Sequence, residues 1–281
     1  MTTLWNHQRS RLTFVCAGLL LALCQLGIFA SAGFAQGSDR SLTPLQRAIE
    51  KQKARLSSAE IEERRDAVVH LQVLHHPEAS RAAVAALSDM SPIVRATATT
   101  AVLSLPDSES AASLIPLLED KDEFVRQEAA YALGKTRSAS AVSPLIERLA
   151  RDKKQGVRGA AVVALGEIRN ESGVVALSQI LRPELGGSSK KKKSKNKENL
   201  FVLRSAARSL GQIGSRAGVP ALLAVVQDEN AESDVRREAA NALGSIGDPA
   251  ALPILSSVMN ATDPYLARAA YEASRKISMR Q

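Results

Sequence analysis

Apolar side chains over residues 57–281 fall at three- and four-residue spacing, the period of one face of an α-helix, in short runs divided by turn residues. The pattern itself repeats, at intervals of about 31 to 33 residues. Its clearest copy is Val125-Arg126-Gln127-Glu128-Ala129-Ala130-Tyr131-Ala132-Leu133-Gly134. In register with it lie Val157-Arg158 leading to Ala164-Leu165-Gly166, Val235-Arg236 leading to Ala242-Leu243-Gly244, and Val94-Arg95 leading to Ala101-Val102. Val202-Leu203 and Tyr265-Leu266 open two degenerate copies, with leucine in place of arginine, and an earlier copy starts near Glu63-Arg64. Valine, the alanine pair and leucine share one helical face, where small side chains let helices approach closely. The glycines after the leucine, Gly134, Gly166, Gly211 and Gly244, are expected to let the chain leave each helix in a left-handed turn.

Each copy then supplies a short turn and a second apolar stripe: Ala111, Leu114, Ile115 and Leu118; Val142, Leu145, Ile146 and Leu149; Val219, Leu222, Leu223 and Val226. Paired helices of this length cannot bury their apolar faces alone, so the pattern predicts a stack of hairpins sharing one continuous core. Aromatic residues make up only 3% of the chain and β-branched runs between turns are missing, which excludes a sandwich or barrel.

The units resemble HEAT repeats, specifically the HEAT-like repeats associated with phycobilisome lyases, from about Ser57 to Ile277. The resemblance implies an all-α fold, a right-handed ARM/HEAT-like α-solenoid of about six helical hairpins plus a terminal half repeat. It also implies an arginine ladder in which Arg95, Arg126, Arg158 and Arg236 join Asp89, Asp122, Asp152 and either Asp234 or Asp228, with breaks at Leu203 and Leu266. Two enzyme families share such repeats. Deoxyhypusine hydroxylases hold two irons through His-Glu pairs, and this chain has no His-Glu dipeptide. Phycobilin lyases act on antenna proteins in the cytoplasm, and repeats alone do not imply that activity.

Residues 1–35 have the form of an export signal: Arg9 and Arg11, an apolar stretch from Leu12 to Ala30, then small residues. Ala30-Ser31-Ala32 and Gly33-Phe34-Ala35 both fit signal-peptidase sites, the second being preferred. The 19 residues from Leu12 to Ala30 are also long enough to cross a bilayer, so an uncleaved anchor is the alternative. Cys16 and Cys24 both fall in this segment, which leaves a mature chain without thiols, disulfides or cysteine metal ligands, and neither has a lipidation setting. Residues 36–56 form a polar segment with a short helix near Pro44–Arg55, expected to cap the solenoid of residues 57–281.

The formal charge of +8 falls to +6 without Arg9 and Arg11. Lys190, Lys191, Lys192, Lys193, Lys195 and Lys197 against Glu198 hold +5 of that, so the basic isoelectric point describes one loop. This loop, an insertion at 183–199 opened by Gly186-Gly187-Ser188-Ser189, lies between two hairpins and can extend without breaking the stack. It is expected to be a solvated insertion or to grip an anionic surface. Without interleaved aromatics it offers no base stacking, and nucleic acid is not an expected partner.

Few residues suggest chemistry. His75-His76 precedes Pro77 in a turn without further ligands, and His70 borders core Leu71. No Gly-x-Ser-x-Gly elbow or phosphate loop occurs. Glu128, Glu167 and Glu238 are expected to form surface ion pairs beside Arg126, Arg158 and Arg236. No catalytic residue, cofactor or metal site is expected. Positions beside the second-helix stripes, Arg81, Glu147, Arg148, Arg151, Gln179, Arg182, Gln227 and Ser257, are the expected binding face. Ala85, Ala224 and Val225 nearby fit inter-repeat packing. The chain is thus expected to be an exported (periplasmic or extracellular) non-catalytic scaffold that binds another protein or peptide. The alternatives are a membrane-anchored envelope structural protein and a lyase-like enzyme.

Overall fold

The computed structural model describes residues 42–182 and 198–280, and among these every regular element is helical. The expected leader over 1–35 and the lysines at 190–197 lie outside the described residues. The chain divides into two compact units, residues 1–48 and 49–281. In the first, the described stretch is residues 42–48, the start of helix α1 (Pro44–Arg55). A reciprocal cap opens it: the Gln46 N–H donates to Thr43 Oγ1 at 3.2 Å and the Thr43 N–H to Gln46 Oε1 at 3.0 Å. In the second unit α1 continues with Ile49 and Gln52 buried and Glu50, Lys51 and Lys53 exposed.

Six helix pairs and a final single helix follow. They are α2 (Ile61–Val73) with α3 (Pro77–Ala83), α4 (Pro92–Ala101) with α5 (Asp107–Leu114), and α6 (Glu123–Thr136) with α7 (Val142–Arg151). Next come α8 (Gln155–Ile168) with α9 (Val174–Leu181), α10 (Leu200–Ile213) with α11 (Val219–Gln227), α12 (Ser233–Ile246) with α13 (Leu252–Ser257), and α14 (Pro264–Ser278). This is the expected all-α solenoid of six hairpins and a half. No helix among the described residues is long and apolar enough to cross a membrane.

Local chemistry sets the helix ends. Asp122, Asn199 and Asp263 accept backbone N–H groups of α6, α10 and α14 and so satisfy donors that the first turn leaves open. Pro92 and Pro264 stand in the first turns of α4 and α14, where a missing N–H costs nothing. The first helices α6, α8, α10 and α12 end on left-handed residues, Arg137, Arg169, Gly214 and Gly247. A 3-10 turn then leads into each second helix, at 139–141, 171–173, 216–218 and 249–251.

The column of repeated residues is the core. Val94, Val125, Val157, Val202 and Val235 are buried, as are Leu133, Leu165, Leu210 and Leu243. Second helices contribute Leu114, Leu145, Leu177, Leu222 and Leu255, all fully buried, while Ile115, Ile146 and Leu223 are half-buried. Of the positions expected to pack between repeats, Val225 is buried, whereas Ala85 and Ala224 are exposed.

The glycines depart from expectation. Gly134, Gly166, Gly211 and Gly244 do not end their helices; each lies inside one, three residues before the left-handed position. Their purpose is close approach between first helices of successive repeats. A Cβ on Gly134 would stand 2.8 Å from the Ala164 Cα, one on Gly211 2.9 Å from the Ala242 Cα, and one on Gly244 2.8 Å from the Ala273 Cα. Second helices have no such glycine–alanine seam, and from α6 to α14 the contacts between successive first helices are the most extensive in the stack. This seam also continues the stacking past Leu203 and Leu266, where the arginine column is absent.

Gly244→Ala tests the seam because two effects oppose each other. Helix propensity favours alanine by about 1 kcal/mol. Overpacking against Ala273 backbone costs about 1–3 kcal/mol, so the variant should melt below the parent. A rise in melting temperature would show that α12 and α14 are not held this closely.

Candidate functional site

The arginine column builds a ladder, with a register unlike the expected one. Arg64 donates from Nε and Nη2 to Asp89 at 2.7 and 2.9 Å, and Arg95 donates in the same way to Asp120 at 2.7 and 2.8 Å. Arg126 reaches Asp152 at 2.8 and 3.3 Å. Each bidentate pair joins one repeat to the next. The remaining guanidinium nitrogen closes the arginine's own preceding turn: Nη1 of Arg95 donates to the Asp89 carbonyl at 2.8 Å, and Nη1 of Arg126 to the Asp120 carbonyl at 2.8 Å. Arg95 therefore takes Asp89 through its backbone and Asp120 through its side chain. Asp122, expected to pair with Arg126, is instead the N-cap of α6.

The reason is local. Asp89, Asp120 and Asp152 each accept the N–H two residues on, at 2.8, 2.9 and 2.9 Å, a turn that aims the carboxylate back at the preceding repeat. Arg158 pairs with Glu198, on the far side of the insertion, and not with Asp152. Arg236 donates to the Val226 carbonyl at 3.1 and 3.0 Å, while Asp234 takes Arg237 at 2.9 Å and Asp228 accepts the Asn230 N–H at 3.0 Å. Past Leu203 the inter-repeat pairs move to the surface, with Arg208 on Glu238 at 2.8 and 3.2 Å and Arg237 on Asp263 at 3.3 Å.

The ladder sets a pH dependence. Hydrogen bonds from Arg64 hold the Asp89 carboxyl below its ordinary 3.8. For Asp120 and Asp152 burial is the largest influence and pushes upward. Bonds from Arg95 or Arg126, the backbone N–H and nearby positive charge together exceed it, so both carboxyls also titrate below 3.8. A carboxyl lowered by folding stabilises the native state above its unfolded pKa and loses that contribution as pH falls through the folded value. Urea midpoints should stay level between about pH 7 and pH 5 and fall below about pH 4. The fall should be shallower in Asp120→Asn; an equal fall would place the acid sensitivity outside the ladder.

On the second-helix face the expected binding residues are partly self-neutralised. Arg81 forks onto Glu109 at 3.2 and 3.2 Å, Glu147 pairs with Arg151 at 2.6 Å, and Arg148 reaches Glu119 at 3.0 Å and Asp152 at 3.6 Å. Gln179, Arg182 and Gln227 are exposed. The structure spreads these seven residues over the first, third, fourth and fifth repeats, and none of them lines either of the two clefts at the C-terminal ends of the first helices. His76 caps α3, its Nδ1 accepting the Glu78 N–H at 3.2 Å, with His75 left-handed at φ 45°. His70 Nδ1 lies 2.7 Å from the Asp66 carbonyl.

Two adjoining clefts open instead at the C-terminal ends of the first helices. One, of about 560 Å3, is lined by Gly134, Lys135 and Arg137 of the third repeat, Glu167 and Arg169 of the fourth, Gln212 of the fifth, and Asp107. The other, of about 370 Å3, continues past Arg169 and Gln212 to Arg208, Glu238, Asn241 and Ser245. The glycine seam shapes the floor. Glu167 Oε2 lies 2.6 Å from where a Gly134 Cβ would be, and Gln212 fills the equivalent space over Gly166. Burial, followed by the charges of Glu128 and Glu167, raises the pKa of half-buried Tyr131 on the same helix face. Glu238 pairs with Arg208 and not with Arg236, and Arg126 is taken by Asp152 and not by Glu128.

Sequence reasoning missed this cleft. Its signal was present in the column three residues after each glycine, which reads Arg137, Arg169, Gly214 and Gly247. All four residues are left-handed, with φ of 51°, 57°, 76° and 79°. Two arginines therefore hold a conformation that in the fifth and sixth repeats falls to glycine.

The chain resembles the CpcE–CpcF complex of phycocyanin lyase from Nostoc, with 22% identity over 87% of this chain and 98% of that one and a TM-score of 0.48. A designed armadillo repeat protein in complex with the peptide (KR)4 gives 19% identity, coverage of 82% and 99%, and a TM-score of 0.46. Human deoxyhypusine hydroxylase in complex with glycerol gives 19% identity, coverage of 83% and 96%, and a TM-score of 0.39. No curated protein matches in sequence. The family model for HEAT repeats matches residues 49–133, 80–166, 111–184 and 195–275. Those matches cover well over half of the chain and follow the column of residues that builds the stack, so the chain belongs to the HEAT-repeat family.

Proposed function

We propose that this chain is an exported, non-catalytic scaffold that binds another protein or a peptide along its helical stack. The observation behind this reading is the pair of open clefts, which share Arg169 and Gln212 and run across first helices of four successive repeats. An elongated open groove suits an extended chain better than a small substrate, which an enclosed pocket would surround. Stacked repeats present such surfaces on a rigid core, because each hairpin is fixed by its neighbours.

Photo-crosslinking tests the reading. A crosslinker at Gln212, in the cleft, should capture a defined protein from the native envelope fraction. One at Gln179, on the second-helix face, should capture less of it. Equal capture at Gln179 would return the binding face to the second helices, and capture at neither position would sink the scaffold reading. Export rests on residues 1–35, and its test is the amino terminus of the chain recovered from cells. A start at Gln36 or just after Ala32 supports it, whereas an intact leader in carbonate-washed membranes supports the anchored alternative. The lysine block would add an anionic surface as a second contact. Deleting residues 187–197 should then weaken envelope association without altering crosslinking at Gln212.

A further inference from the structure

The cleft between the third and fourth repeats carries a net positive charge, Lys135, Arg137 and Arg169 against Glu167 and Asp107. Among the described residues, neither the Arg137 and Arg169 guanidinium groups nor the Lys135 ammonium makes a hydrogen bond or ion pair. Four exposed arginines elsewhere on the stack are matched, Arg81 by Glu109, Arg151 by Glu147, Arg208 by Glu238 and Arg268 by Glu272, while Arg182 and Arg275 stand alone among the described residues and line neither cleft. Arg137 and Arg169 also occupy equivalent places in successive repeats and keep left-handed backbone there, with φ of 51° and 57°. Folding does not require arginine at these places, because the fifth and sixth repeats make the same turn with Gly214 and Gly247. Two arginines held in strain, aligned one repeat apart and unpaired, line one cleft of about 560 Å3.

We infer that this cleft is the docking site for an acidic peptide segment of the partner, with Arg137 and Arg169 each receiving one carboxylate side chain. The inference rests on the scaffold reading and names the partner's chemistry. Spacing favours a peptide. Adjacent helix axes in packed stacks lie about 8–10 Å apart. A polyproline II segment returns to the same face every three residues after about 9 Å, so Asp or Glu at positions i and i+3 meet successive repeats. The rest of the lining favours a peptide over a nucleic acid. Glu167 and Asp107 share the cleft and would repel a continuous polyanion, whereas they and Gln212 can accept the N–H groups of a peptide backbone.

The test uses the full chain and a fluorescent twelve-residue peptide with aspartate at every third position in a serine–proline background. Fluorescence anisotropy at low salt should show saturable binding that weakens as sodium chloride rises, and a peptide with lysine for aspartate should not bind. Arg137→Gly and Arg169→Gly should each weaken binding about fivefold, the upper end of what one solvent-exposed ion pair contributes. Both variants should melt at or above the parent temperature, because glycine relieves the left-handed strain. A variant that lost binding only in step with lost stability would overturn the inference, as would full affinity in the double variant. Tighter, arginine-dependent binding of a single-stranded DNA dodecamer would overturn the peptide assignment. If the Gln212 crosslinker still captures the native partner in the double variant, this inference fails and the scaffold reading stands; if the parent captures nothing, both fail.

Discussion

Leu165→Asp should leave the middle of the stack unable to fold at ordinary temperature. Leu165 is 1% exposed, and its side chain stands against Gly173 in the turn into α9. Removing a buried leucine side chain costs about 2–5 kcal/mol in contacts and cavity. An ionised carboxylate there adds a desolvation penalty that no cation relieves, so the total loss should be at least about 5 kcal/mol, comparable to the whole stability of many domains. The fourth repeat is central, so its neighbours lose their packing partner on both sides. Circular dichroism should record a loss of helix or a melt lowered by tens of degrees, and Leu165→Met should stay within about 1.5 kcal/mol of the parent. A parental melting curve for Leu165→Asp would show that the leucine column does not face the core.

Asp152→Ala should cost about 2–4 kcal/mol. Its carboxylate has 2% side-chain exposure and accepts from Arg126 at 2.8 and 3.3 Å and from the Lys154 N–H at 2.9 Å, with Arg148 at 3.6 Å. Without it, Arg126 and Arg148, at 14% and 13% side-chain exposure, lose their shared counter-charge, and the turn into α8 loses its acceptor. Asp152→Asn keeps the acceptor for Lys154 and should lose less. In a double-mutant cycle, Arg126→Ala should add little once Asp152 is gone, because both changes break the same contact. Urea denaturation measures each variant. A loss below about 0.5 kcal/mol would place this rung among surface pairs of little consequence.

The residues of the repeat made most of the architecture legible. Valine, alanine pair and leucine at helical spacing, returning at one period, carry both the identity of each helix and the need for a neighbour. Arg95 and Arg126 were legible as ladder members from the same column. Their carboxylate partners were not, because Asp89 and Asp122 are nearer in sequence than Asp120 and Asp152, and only the turn geometry aims each aspartate backwards. The glycines misled for a related reason. Gly134 precedes a turn signal, yet α6 runs through it to Thr136, and its missing Cβ serves the next repeat's Ala164.

The cleft was the least legible part. Lys135, Arg137 and Glu167 look like ordinary surface charges at the ends of helices, and nothing in their spacing shows which have partners. By itself the sequence determined the all-α class, the number and order of the hairpins, and the residues of the core, because periodic apolar positions act through the helix that contains them. Tertiary structure alone decided the rung partners, the glycine–alanine seam and the meeting of Arg137 with Arg169. These depend on distances between repeats, which exist only once neighbouring helices have packed to backbone contact.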